Sequence, residues 1–268
     1  MAAGLEGKSV IVTGAADGVG LAIARRFVAV GARVTMADRD EDQLAAEVAS
    51  LSGARGEVQF HAGDLREKLS IANLLAATID AFDRVDILVN ATTHAPLCED
   101  EATDEAALAT LFSQLVTVPM RLSQAVVKRM QHQAETRPRD EEAGAIVNIC
   151  TLAARRTLPH LLPYSVAAAA QEQLTRSQAV DLAPTRIRVN GVALGGVITP
   201  SLRECMRNDD TLSDRLIAAT PLGRIGEADE AAEAALFLAS PGASFITGQI
   251  LTVDGGRSII DRLDQPAS

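Results

Sequence analysis

Residues 10–27, VIVTGAADGVGLAIARRF, run from an apolar, β-rich stretch through Gly14, Gly18 and Gly20 into an amphipathic helical pattern. Glycine lets the chain turn tightly and lets backbone N–H groups approach an anion, while the start of the helix adds partial positive charge. The turn, with Ala16, Asp17 and Val19 between its glycines, is therefore expected to cradle a pyrophosphate. The next strand pattern, RVTMAD, ends at Asp38, 24 residues after Gly14. A carboxylate there accepts hydrogen bonds from an adenosine ribose and repels a 2′-phosphate. NAD(H) is thus favoured over NADP(H), a preference softened by Arg39 beside it.

The same alternation continues along the chain. Strand patterns fall at 8–13, 33–38, 59–62, 87–90, 145–150, 186–193 and 249–253, and helical patterns at 18–30, 41–51, 70–82 and 104–131. Strands that are apolar throughout and separated by helices belong in a parallel sheet covered on both faces. The fold class is α/β, a single-domain Rossmann fold over residues 1–268 with a doubly wound, seven-stranded parallel sheet. The polar stretch 131–144, QHQAETRPRDEEAG, reads as a solvated surface loop.

Composition narrows the partners. A net charge of −10 argues against a phosphate backbone as partner, because such binding needs clustered Lys and Arg. The start of the chain lacks a basic segment followed by a long apolar one, and no run of apolar residues reaches membrane-spanning length, so the cytoplasm is the expected location. Cys98, Cys150 and Cys205 are odd in number and widely spaced, which suggests buried thiols rather than a disulfide framework or a metal site. GLEGKS at 4–9 imitates the end of a P-loop, but Ala2 takes the first glycine position and a strand follows where a helix should start.

Several motifs, in order, resemble the short-chain dehydrogenase/reductase superfamily. TGAADGVG matches its TGxxxGxG turn, and HAGDL puts Asp64 and Leu65 where the family contacts adenine. ILVNATT, containing Asn90, Ala91 and Thr92, corresponds to its LVNNAG strand end. GVALGGVITP places Val197 and Thr199 where the nicotinamide carboxamide is held, and the segment from Pro221 to Gly256 resembles the family's last helix and strand. The resemblance implies a nicotinamide-dependent oxidoreductase acting on a small molecule, with Tyr164 as its proton-transfer residue. It further implies a substrate lid at about 199–220 and assembly as a homotetramer or homodimer.

The departures cluster around that tyrosine. The family's serine is Thr151, its helical asparagine aligns within one residue to Leu115, and its lysine four residues after the tyrosine is Ala168. An unperturbed phenol has a pKa of about 10, so at pH 7 roughly one in a thousand is ionised. Without a neighbouring cation Tyr164 is a poor base, yet a neutral phenol suits proton donation to a carbonyl that receives hydride. Reduction of a carbonyl or imine is therefore expected, with Thr151 polarising the oxygen and His94 as a further candidate acid. His160 could also move a proton but reads more simply as a surface or packing residue; Arg155 and Arg156 could bind an anionic substrate but read more simply as exposed loop charges, and Cys150 reads as inert packing. Two other readings stay open: a dinucleotide-binding protein without hydride transfer, and a non-redox acid–base catalyst.

Overall fold

The computed structural model describes residues 4–92, 105–138, 141–157 and 159–261. Its first half alternates β1 (Ser9–Thr13), α1 (Gly18–Ala29), β2 (Arg33–Asp38), α2 (Glu41–Ser50), β3 (Glu57–Ala62), α3 (Lys68–Phe82) and β4 (Ile87–Asn90). Then follow α4 (Glu105–Phe112), α5 (Val118–Ala134), β5 (Gly144–Thr151), α6 (Leu162–Leu182) and β6 (Ile187–Leu194). The chain ends with α7 (Pro200–Asn208), α8 (Leu212–Ala218), α9 (Ala228–Ala239) and β7 (Ile250–Val253). All seven strands pair in parallel in the order β3-β2-β1-β4-β5-β6-β7.

Side chains alternate across that sheet, and the alternation builds two cores. Val10, Val12, Val34, Met36, Val147 and Ile149 face one way and pack with α1, α2 and α9. Ile11, Leu88, Ile146 and Val189 face the other way and pack with α3, α5 and the end of α6. Burying a Val, Leu or Ile side chain contributes about 1.5–3 kcal/mol, so strands buried on both faces hold the sheet's register firmly. The strand order reverses between β1 and β4, which opens a crevice at the carboxyl ends of the strands.

Two expectations need correcting. The helical pattern at 104–131 is not one helix: α4 and α5 are separated by a π-helical turn, Ser113–Thr117. Pro119 lies just inside α5 and has no N–H to return to the preceding turn, so the backbone widens there. The stretch 131–144 is also less solvated than its composition suggests. Helix α5 runs to Ala134, and Arg137, with its side chain only 13% exposed, donates through Nη2 to Asp86 Oδ1 at 3.1 Å. Asp86 is 3% exposed and draws in the cations that a buried carboxylate requires.

The cysteines divide as well. Cys150 is a buried free thiol, whereas Cys205, buried on α7, is disulfide-bonded, contrary to the thiol expected from spacing along the chain. Spacing in sequence does not report approach in space. Cys98 and His94 lie outside the described residues. Among the described residues no helix is long and apolar enough to cross a membrane.

Candidate active site

One cleft, about 1570 Å³, runs along the strand ends from the glycine turn to the segment between β5 and α6. At its first end the turn is shaped by backbone. Gly14 has φ +63, and a Cβ there would stand 2.8 Å from Ala91 O and 2.9 Å from Thr92 N. A Cβ at Gly20 would meet Gly14 O at 1.9 Å, so only glycine permits this close return of the helix to the turn. Asp17 caps α1 without a side-chain hydrogen bond, and Gly18 and Val19 follow it on the cleft wall with the helix start behind them. Unclaimed N–H groups and the helix dipole make that wall a fit for phosphate.

Asp38 ends β2 at the cleft. Its Oδ1 accepts from Arg39 N at 2.6 Å and Asp40 N at 3.3 Å, and its Oδ2 accepts from Ala16 N at 3.3 Å. Burial, then Asp38 and Asp40, push the Asp17 carboxyl above its ordinary value. Three carboxylates thus crowd this corner, which disfavours an anion set against Asp38 rather than on the backbone N–H groups of the turn. Beyond it, Arg66 Nε donates to Asp64 Oδ2 at 2.9 Å, and Arg66 holds the Asp64 carboxyl down to about 2.

The middle of the cleft carries the chemistry-bearing side chains. Tyr164 projects from the first turn of α6 and is 5% exposed, beside Thr151 at the end of β5. Burial raises the phenol above its usual pKa, the neighbouring Thr151 hydroxyl draws it partly back, and Cys150 adds to the rise. Among the described residues no cation contributes to that shift. Ala168 is fully buried and shares an apolar cluster with Tyr164, Leu115, Ala153 and Ala167. Cys150 is pushed up to about 12, chiefly by burial and next by Glu172, so its thiol is not a nucleophile at neutral pH.

Of the residues singled out from sequence, Gly14, Asp17, Gly18, Val19, Gly20, Asp38, Arg39, Asp64 and Leu65 line this cleft. So do Ala91, Thr92, Thr151, Tyr164, Val197 and Thr199. Ala16 lines a shallow adjoining notch with Asp17, Asp38 and Arg39. Asn90 does not reach the cleft: its Nδ2 donates to Asn148 Oδ1 at 2.8 Å inside the sheet. His160, exposed and at φ +64, also stays outside. Arg155 and Arg156, read from sequence as loop charges, both line the cleft, as do Ser201 and Leu202 of α7 and Arg215 and Leu216 of α8.

Sequence reasoning missed Gln114. It sits on the π-helical turn, lines the cleft, and its Oε1 is buried with no hydrogen-bond partner among the described residues. Such turns recur at functional sites, and a buried orphan acceptor at a cleft wall awaits a donor. Only the Pro119 signal, a proline inside a helical pattern, hinted that the register would shift here.

Comparison with known proteins agrees with this geometry. A family model described as enoyl-(acyl carrier protein) reductase matches residues 14–258. The galactitol 2-dehydrogenase (L-tagatose-forming) of Cereibacter sphaeroides is 36% identical over 260 residues, 95% of this chain and 96% of that protein. Among solved structures, a 7α-hydroxysteroid dehydrogenase complexed with NADH and 7-oxo glycochenodeoxycholic acid superposes with a TM-score of 0.85. It is 32% identical and covers 94% of both chains. A gluconate 5-dehydrogenase from Burkholderia cenocepacia J2315, in complex with NADP and tartrate, gives a TM-score of 0.82 at 29% identity, covering 96% of this chain and 97% of that one.

A parallel, doubly wound sheet with a glycine turn at its switch point defines the Rossmann class of nucleotide-binding fold. Within that class the chain belongs to the short-chain dehydrogenase/reductase family of oxidoreductases.

Proposed function

We propose that this protein is an NAD(H)-dependent oxidoreductase that reduces a carbonyl or imine of a small molecule, with Tyr164 as proton donor. One observation carries the reading: Tyr164 is buried and held neutral beside Thr151, in a cleft continuous with the glycine turn. A nicotinamide bound there would supply the hydride. The rest falls to the chain's own groups. The Tyr164 hydroxyl donates the proton to the oxygen or nitrogen that gains charge, and the Thr151 hydroxyl polarises that atom. His94 is a second candidate acid.

The nucleotide would be held by the backbone from Gly14 through Gly20, including Ala16, Asp17, Gly18 and Val19, with the ribose on Asp38. Arg39, Asp64 and Leu65 would border the adenine. Asn90, Ala91 and Thr92 would support the strand end, and Tyr164, Val197 and Thr199 the nicotinamide. Both NADH and NADP appear in the related structures, so the preference for NAD(H) rests on the crowded carboxylates at Asp17, Asp38 and Asp40.

Stopped-flow oxidation of NADH against a carbonyl panel tests this reading, with Tyr164→Phe as control. Turnover is expected to fall at least about a hundredfold while NADH affinity is kept. An undiminished rate in the variant would remove Tyr164 from the chemistry. A second reading, a dinucleotide-binding protein without hydride transfer, draws support from the apolar burial of Ala168 and Leu115 beside the phenol. It gains if NADH binds and no member of the panel is reduced.

We also expect a homotetramer, or failing that a homodimer. Val166 and Leu162 on α6 and Phe237 and Phe245 near the last strand are exposed apolar side chains of the kind that subunit contacts cover. Sedimentation at micromolar concentration decides this, and a monomer alone would exclude both assemblies.

A further inference from the structure

The cleft beyond Tyr164 has apolar walls and cationic edges. Leu152, Leu194, Leu216, Ile259 and Ile260 line it together with Arg155, Arg156, Arg215 and Arg257. Asp261 is the only carboxylate among the described residues lining this half, in a chain whose net charge is −10. Apolar and cationic groups flank Gly196. A Cβ there would stand 3.6 Å from Leu216 Cδ2 and 3.8 Å from Arg257 Nη1, so the glycine leaves the space between them open.

The arginines are not equivalent. Arg155 Nε lies 3.0 Å from Glu172 Oε1, and Glu172, 3% exposed, also accepts from Arg176 at 2.8 Å. Arg215 is paired with Asp209. Arg156 is held differently. Its Nη2 donates to the backbone carbonyl of Ser258, which ties it to the chain segment forming the far wall, and among the described residues no carboxylate is paired with it. A guanidinium has five N–H donors in a planar fork that matches a carboxylate, and one bond to a carbonyl leaves most of them for a ligand.

We infer that this site takes an amphipathic substrate, an apolar carbonyl compound carrying a carboxylate remote from the reacting group, and that Arg156 is the residue that binds the carboxylate. The walls accept hydrocarbon by burial, while a positive edge in a negatively charged protein concentrates an organic anion. Arg155 shares Glu172 with Arg176 and Arg215 is paired with Asp209, so the charge left at Arg156 suits a monoanion better than a phosphate dianion. The inference rests on the reductase reading only for the reacting carbonyl; recognition of the carboxylate is independent of turnover.

The test is calorimetric titration of the full chain, loaded with NADH, with decanoate and with the neutral decanamide of equal length. Decanoate is expected to bind about tenfold tighter or more, the usual gain from a charge-assisted bidentate pair. Arg156→Gln, which keeps a donor for Ser258 O, is expected to bring the two ligands within about twofold of each other while NADH and decanamide affinities hold. Equal affinities in the unmodified protein, or a preference for decanoate that survives in Arg156→Gln, would overturn the assignment. Titration of the same samples with NADH, and the Tyr164→Phe kinetics, report on the oxidoreductase reading separately.

Discussion

Ala168 lies one helical turn beyond Tyr164 on α6, and both are buried in a single apolar cluster with Leu115. The position four residues after the phenol is therefore closed as well as uncharged. Ala168→Lys would have to place an ammonium and four methylenes in a site that is fully buried. A loss of at least about 2 kcal/mol is expected from overpacking and desolvation together. Thermal denaturation reads it directly, and an unchanged midpoint would mean that the cluster has room for the missing cation.

Burial also sets the pH dependence. Tyr164 is raised above its ordinary value, so its neutral, proton-donating form persists through neutral pH and is lost only above roughly pH 10. NADH-dependent carbonyl reduction, followed under single-turnover conditions, is expected to be flat from about pH 6 to 9 with respect to this group. A decline between pH 7 and 8 would point to another acid, with His94 the first to replace.

Gln114 offers a case in which stability and activity should part. Its Oε1 is buried without a partner among the described residues, and an unmet acceptor of that kind costs about 1–3 kcal/mol. Gln114→Leu is expected to leave the unfolding free energy unchanged or raised while lowering kcat about tenfold, because the cleft wall loses its acceptor. Denaturant titration and steady-state kinetics on the same preparation check both halves. A destabilised variant with intact turnover would make Gln114 a packing residue.

Asp38 can be tested through the cofactor. A hydrogen bond to a charged group contributes about 1.5–3 kcal/mol, so Asp38→Ala is expected to weaken NADH binding at least about tenfold and to narrow the gap to NADPH. Fluorescence titration with each nucleotide measures both effects. NADPH binding tighter than NADH in the unmodified protein would contradict the role given to the Asp17, Asp38 and Asp40 corner.

Much of the fold was legible in the sequence because its signals are local. The predicted strand at 87–90 coincides with β4, and that at 33–38 with β2. The remaining strand ends moved by no more than two residues, for instance to Glu57–Ala62, since hydrogen-bond pairing rather than composition ends a strand. The long helical pattern is broken by the π turn Ser113–Thr117, just ahead of Pro119, where a missing donor outweighed helical periodicity. The ends of the stretch 131–144 are more tightly held than composition suggests, because Arg137 and Glu142 have buried partners, Asp86 and Arg188, that lie about fifty residues away.

The glycine spacing, the acidic strand end and the alternation of apolar runs determined the nucleotide-binding architecture without help, since each depends on neighbours within a few turns of chain. Which side chains meet in the cleft was decided only by the tertiary structure. A π turn puts Gln114 on the cleft wall while Leu115 joins the buried apolar cluster that holds Tyr164. Arg156 and Ser258, about a hundred residues apart, are joined across the mouth. Contacts between distant segments depend on how layers pack and where a helix shifts register, and no local pattern encodes either.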